Sequence, residues 1–142
     1  IEVSLSSLGI GRLAARRRAA ELLDYMGIGD RAGMRADTLN YGDERRVGIA
    51  RALGLGPKIL LLDEPAAGMN IGEAEVLSGL IKQIRVDFGC GVLLIEHNMN
   101  LVVNTCERLH VMASGRTISA GTPGEVMADE QFRSAYLGSE AG

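Results

Sequence analysis

Two short apolar runs that each end in polar side chains constrain this chain more than any other feature. Lys58 to Leu62 reads Lys-Ile-Leu-Leu-Leu and passes at once into Asp63-Glu64-Pro65. A continuous apolar run bounded by turn residues suits a strand buried on both faces, as in a parallel sheet. Val92-Leu93-Leu94-Ile95 repeats the pattern and ends in Glu96-His97. Between them, Asn70 is placed to cap a helix with Glu73 three positions on, and Val76, Leu77, Leu80, Ile81 and Ile84 give that helix an apolar stripe. Strand, helix, strand is the βαβ unit, so the core is α/β.

The flanks follow the same logic. Ala15, Ala19, Leu22, Leu23 and Met26 recur at helical spacing and predict a helix ending near Gly27. Residues 28–42 lack a period and read as a loop closed by a tight Asn40-Tyr41-Gly42. Helix resumes from Asp43 to about Leu55, with Asp43 and Glu44 at the positive end of its dipole. After His97, Met99, Val102, Val103 and Cys106 keep helical spacing. Leu109 to Ala113 and Thr117 to Ala120 flank Ser114-Gly115-Arg116 as a hairpin. Thr122-Pro123-Gly124-Glu125 combines a cap, a first-turn proline and a capping-box acid, and opens a helical tail. The organisation read from these signals is a helical region over 1–57, an α/β core with hairpin over 58–121, and a helical tail over 122–142.

Composition excludes several classes. With 46% hydrophobic and 23% charged residues the chain is globular, and no apolar run reaches the roughly 18 to 20 residues of a membrane span. Residues 1–58 carry ten Lys/Arg against seven Asp/Glu, and residues 59–142 five against eleven. No basic stretch with interleaved aromatics occurs, so nucleic acid is not the expected partner. Cys90 and Cys106 are too few for a disulfide framework and suit a reducing compartment. The chain opens with Ile1 instead of Met, which reads as a fragment.

Asp63-Glu64 and Glu96-His97 end the two core strands, and open α/β sheets bind ligands beyond the carboxyl ends of their strands. A strand-end Asp helps to hold Mg²⁺ in phosphoryl-transfer sites, the next acid can face a water, and an imidazole can contact phosphate. Both strand tips are therefore expected on one rim. Three other readings are open to these residues. Gly9-Ile10-Gly11-Arg12-Leu13-Ala14 matches a dinucleotide fingerprint, but Leu5-Ser6-Ser7-Leu8 is a poor strand to precede it. A metal-dependent hydrolase would use Asp63, Glu64 and His97, without a zinc-type cluster in support. A non-catalytic interaction module is the third.

Four segments, in order, resemble the ATP-binding subunit of ABC transporters. They are Leu39-Asn40-Tyr41-Gly42-Asp43-Glu44-Arg45-Arg46, Ile49-Ala50-Arg51-Ala52-Leu53, Ile59-Leu60-Leu61-Leu62-Asp63-Glu64-Pro65 and Leu94-Ile95-Glu96-His97. They match that family's signature loop and helix, Walker B strand and switch histidine. Ala66-Ala67-Gly68-Met69-Asn70 and the ending Ala135-Tyr136-Leu137-Gly138 look most like its branched-chain amino acid importer branch. The resemblance implies a partial P-loop NTPase core and two ATPase subunits facing head to tail around ATP, coupled to membrane permease subunits on the inner face of the cell membrane. It implies that Leu39, Asn40, Tyr41, Gly42 and Asp43 present the signature to the partner's nucleotide. Asp63 would help to bind Mg²⁺, Glu64 would polarise the attacking water, His97 would contact the γ-phosphate, and Asn70 would belong to the loop that speaks across the dimer.

Two residues depart from the family pattern, Asn40 where Ser is usual and Asp43 where Gln is common. A carboxylate aimed at a triphosphate is repelled, so Asp43 is expected to point away, cap its own helix, or weaken the site. No G-x-x-x-x-G-K-[ST] phosphate loop occurs among the 142 residues, whose only lysines are Lys58 and Lys82. ATP and Mg²⁺ binding are therefore expected to need a preceding segment, and the isolated chain is expected to be inactive.

Overall fold

A computed structural model describes residues 1–137. The chain forms two compact units, one over Ile1–Glu96 and one beginning at His97.

The first unit opens with helices α1 (Glu2–Ser6) and α2 (Arg12–Tyr25). The segment before Gly9 is thus helix, not the strand that a dinucleotide fingerprint requires. Ala15, Ala19, Leu22 and Met26 are buried, as their spacing dictates. Two 3-10 turns, Gly29–Arg31 and Ala36–Thr38, lead to α3 (Tyr41–Gly54). A Cβ on Gly54 would lie 3.2 Å from Leu5 Cδ2 and 3.4 Å from Leu22 Cδ1, so its bare backbone lets those side chains seat against α3.

Strand β1 (Ile59–Asp63) pairs in parallel with β2 (Gly91–Ile95), joined through α4 (Ile71–Asp87). Asn70 Oδ1 accepts the Glu73 N–H at 3.0 Å while Glu73 Oε2 accepts the Asn70 N–H at 2.9 Å, completing the expected capping box. The buried stripe of α4 is Ala74, Leu77, Ser78, Ile81 and Ile84. Val76 is exposed, because at 100° per residue it falls off the line through Leu77, Ile81 and Ile84.

The strands differ from expectation in one respect. Leu60 and Leu62 are buried, but Ile59 is 63% and Leu61 70% exposed, and on β2 Leu93 and Ile95 are 53% and 56% exposed. Successive strand residues point to opposite faces, and among the described residues only one face of this pair is covered. The apolar run identified a strand correctly, while burial on both faces does not hold.

The far end of α4 is tied to α2. The Tyr25 hydroxyl donates to Asp87 Oδ2 at 2.9 Å, and its ring meets Phe88 edge-on at 5.2 Å between centroids. Burial of the phenol, then the hydrogen bond to Asp87 and its charge, push the Tyr25 pKa up to about 12.

The second unit contains α5 (Met99–Thr105), β3 (Leu109–Ala113), β4 (Arg116–Gly121), α6 (Pro123–Ala128) and α7 (Glu130–Leu137). The hairpin β3–β4 is antiparallel, turns through Ser114 and Gly115 at φ +49° and +74°, and slips register between Val111 and Met112. Leu109, Val126 and Phe132 form its core, with Met99, Val102, Val103 and Cys106 packed around them. The Ser119 hydroxyl donates to Asp129 Oδ2 at 2.7 Å, and Thr122 with Glu125 forms the predicted capping box. Hydrogen bonds from Ser119 and the Gln131 N–H hold Asp129 below the usual carboxylate range. The Thr122 N–H and hydroxyl do the same for Glu125. Of the tail motif named above, Gly138 lies outside the described residues.

Candidate functional site

The segment around Asn40 is built differently from the expected tight closure. Helix α3 begins at Tyr41, and Asn40 is its N-cap, with Oδ1 accepting the Asp43 N–H at 2.8 Å. A cap of this kind is worth about 1 kcal/mol. It extends the helix two residues earlier than periodicity suggested, and it places Tyr41 and Gly42 in the first turn. Their N–H groups have no intrahelical acceptor, and they sit at the positive end of the helix dipole. Leu39 is half-buried and extended just before the cap.

Asp43 turns back on its own helix start. Its Oδ2 accepts from Asn40 Nδ2 at 3.0 Å and pairs with Arg31 Nε at 3.5 Å. The carboxylate's charge is thus matched by a guanidinium and an amide. Asp43 does not itself cap the helix, a role that Asn40 takes; its carboxylate is engaged by the Asn40 amide and by Arg31. Arg45 lies over the Tyr41 ring at 4.9 Å from the centroid and donates from Nε to the Tyr41 hydroxyl at 3.1 Å, which holds the ring against the helix surface.

The loop before α4 lies against this helix start. A Cβ on Gly68 would stand 3.6 Å from Tyr41 Cδ1, and one on Gly42 would stand 3.9 Å from Met69 Cε. Tyr41 and Gly42 are therefore neighbours of Gly68 and Met69 in the same unit, although far from them in sequence. Gly68 adopts φ +73°, a left-handed conformation that glycine takes without steric cost.

Asp63 ends β1 opposite Ile95, with its side chain on the exposed face. Glu64 follows at φ +43°, which costs a residue with a Cβ about 1–2 kcal/mol. Its N–H donates to Ile95 O at 2.9 Å, and its carbonyl accepts the Ala67 N–H at 3.2 Å. Ala66 N–H donates to Glu96 Oε1 at 2.9 Å. Glu64 is exposed, while Pro65 and Ala66 beneath it are buried. The chain thus runs from the exposed acid pair through a four-residue turn into the loop beside Tyr41.

His97 belongs to the second unit, where its side chain is exposed and its carbonyl accepts the Tyr136 hydroxyl at 2.9 Å. Among the described residues no three His, Cys, Asp or Glu side chains form a group able to hold a metal ion. Mg²⁺ asks for less, one or two carboxylates with phosphate and water completing its shell, and the exposed strand-end Asp63 fits that requirement. Sequence reasoning placed Glu96 at a strand tip but missed its contact with Ala66, and it missed Arg31 as part of this region. Glu96 meets Ala66 across 30 positions and Arg31 meets Asp43 across an aperiodic loop, and neither separation leaves a local pattern.

Comparison with known proteins agrees with the segments quoted above. The family described as "ABC transporter" matches residues 2–67. The branched-chain amino acid transport ATP-binding protein LivG of Salmonella typhimurium is 42% identical over 121 residues, covering 85% of this chain and 48% of LivG. The lipopolysaccharide export ATP-binding protein LptB of Escherichia coli K12 is 38% identical over 123 residues, covering 87% and 51%. Among solved structures, MJ1267, an ATP-binding cassette of an ABC transporter, superposes with a TM-score of 0.78 at 28% identity, covering 86% of this chain and 49% of that one. The chain spans about half the length of the curated relatives it matches. With its mixed α/β fold and parallel strand pair, the chain is similar over most of its length to ATP-binding subunits of ABC transporters, and its residues 2–67 match the model of that family.

Proposed function

We propose that this segment supplies the signature and the catalytic carboxylate of an ATPase subunit that energises an ABC transporter. The observation that carries this reading is the seating of the α3 start against the 68–70 loop, in direct continuation of the Asp63–Glu64 turn. Backbone N–H groups at a helix start are suited to phosphate oxygens, so Tyr41 and Gly42 receive the γ-phosphate of a nucleotide held by a second subunit. Asp43 does not oppose that approach, because its charge is engaged by Arg31 and Asn40. Glu64, exposed on its turn, accepts a hydrogen bond from water and orients it for attack on phosphorus. Asp63 offers its carboxylate to Mg²⁺, which neutralises phosphate charge when bound. His97 donates to the γ-phosphate, and Asn70 fixes the loop that meets the second subunit.

The partners are a second ATPase subunit and integral membrane permeases, with the subunit peripheral on the inner face of the membrane. No helix of the described residues is long and apolar enough to cross a membrane. Similarity to LivG supports branched-chain amino acids as the imported solute. Similarity to LptB favours a second reading, lipopolysaccharide export. Leucine uptake by vesicles containing the assembled transporter separates the two, since ATP-driven accumulation is expected only for the importer.

In the full-length subunit carrying this segment, Glu64→Gln is expected to keep ATP binding and to lower turnover by about 10²-fold or more. Turnover within threefold of the unsubstituted protein would refute the role of Glu64. Calorimetric titration of the 142-residue chain alone is expected to show no tight ATP binding.

A further inference from the structure

We infer that Glu96 is a positioning residue for Glu64, its carboxylate clamping the turn on which Glu64 stands; this rests on the proposed role of Glu64 in hydrolysis.

Glu64 occupies a left-handed conformation at φ +43°, and a residue with a Cβ persists there only where its surroundings over-determine it. The determinants come from the end of β2. The Ile95 carbonyl takes the Glu64 N–H at 2.9 Å and so extends the strand ladder by one bond beyond Asp63. The next residue, Glu96, takes the Ala66 N–H on Oε1 at the same distance. Pro65 lies between and has no N–H, so Ala66 carries the only backbone donor between Glu64 and Ala67. Ala66 is 8% exposed, which leaves its N–H little access to solvent in place of the carboxylate.

The geometry has a functional corollary. Glu64 is gripped on both sides, by a backbone carbonyl before its Cα and by a charged acceptor two residues after it. Without the second grip, the turn can relax toward a right-handed conformation at Glu64, and that rotation swings the carboxylate away from the strand end. ATP binding, which uses other residues, is not affected by such a swing. The expected signature is therefore a loss in kcat without a change in KM.

The test compares Glu96→Gln, which keeps an acceptor oxygen at the same reach, with Glu96→Met and Glu96→Ala, which do not. In the 142-residue chain, amide hydrogen exchange at Ala66 is expected to accelerate about tenfold or more in both non-accepting variants and to stay within about threefold of the original in Glu96→Gln. In the full-length subunit assembled with its partners, kcat for ATP is expected to fall about tenfold or more in Glu96→Met and Glu96→Ala, with KM within about twofold, and Glu96→Gln is expected to restore it. Met is close to Glu in volume, so its comparison with Gln holds even where Ala disturbs the packing. Unchanged exchange at Ala66, unchanged kcat in the non-accepting variants, or equal damage from Glu96→Gln would each overturn the inference. An assembled subunit with no Glu64-dependent ATP hydrolysis would instead refute the proposed function, and the exchange measurement would still decide whether the clamp exists.

Discussion

Two glycine-to-alanine substitutions in the first unit are expected to move stability in opposite directions. Gly68 sits at φ +73°, and a Cβ there would meet Tyr41 Cδ1 at 3.6 Å, an ordinary contact. The steric environment therefore contributes little, and the cost of Gly68→Ala is that of a left-handed backbone, about 1–2 kcal/mol. Gly79 lies inside α4, exposed, with nothing within 4 Å of where its Cβ would stand. Alanine there gains helix propensity worth about 0.8–1 kcal/mol. Both substitutions restrict the unfolded chain alike, so that contribution cancels when the two are compared. The net difference is about 2 kcal/mol, or roughly 10 °C in Tm for a unit of this size. Urea unfolding followed by circular dichroism, with m-values checked for constancy, measures it. Gly68→Asn serves as control, since asparagine tolerates the left-handed region and is expected to lose less than alanine. Shifts of the same sign for Gly68→Ala and Gly79→Ala would refute the reasoning about the loop's backbone.

Two pH dependences follow from the shifted groups. Tyr25 has its pKa raised to about 12 from an ordinary 10, so its neutral form stabilises the fold below pH 10. That stability is lost as pH rises from 10 toward 12, and Tyr25→Phe is expected to flatten the dependence in alkaline urea titrations. Glu125 and Asp129 are lowered, so their contribution is present above ordinary carboxylate values and disappears as pH falls through the lower folded ones. Unfolding midpoints of the second unit are expected to drop below about pH 4, and Ser119→Ala is expected to reduce the drop.

The features legible in sequence were those whose causes are local. Asn70 with Glu73 and Thr122 with Glu125 declare their helix starts within four residues, because a cap needs only its own first turn. The hairpin through Ser114 and Gly115 was equally plain. Asn40 escaped because its partner at the third position is Asp43, whose carboxylate meets the Asn40 amide and Arg31 instead of the cap's backbone N–H. Tyr25 with Asp87 and Ala66 with Glu96 lie 62 and 30 positions apart, and a pairing at such distance exists only once the chain has folded. The residues that resembled a nucleotide site could be named from their order along the chain. The left-handed backbone of Glu64, which decides where its carboxylate stands, could not.

The uniformity of β1 has a consequence for how the sheet finds its alignment. Ile59, Leu60, Leu61 and Leu62 are nearly interchangeable in volume and polarity, so a slide by one residue would swap one greasy pair for another at almost no cost in side-chain sorting. Selection against that slide must come from the terminus, where Asp63 would be carried into the dry layer now filled by Leu60 and Leu62. The acid at the end of the strand thus acts as an alignment stop as well as a ligand candidate. Exchanging Asp63 for an apolar residue would free the strand to mispair, in addition to removing the carboxylate proposed for Mg²⁺.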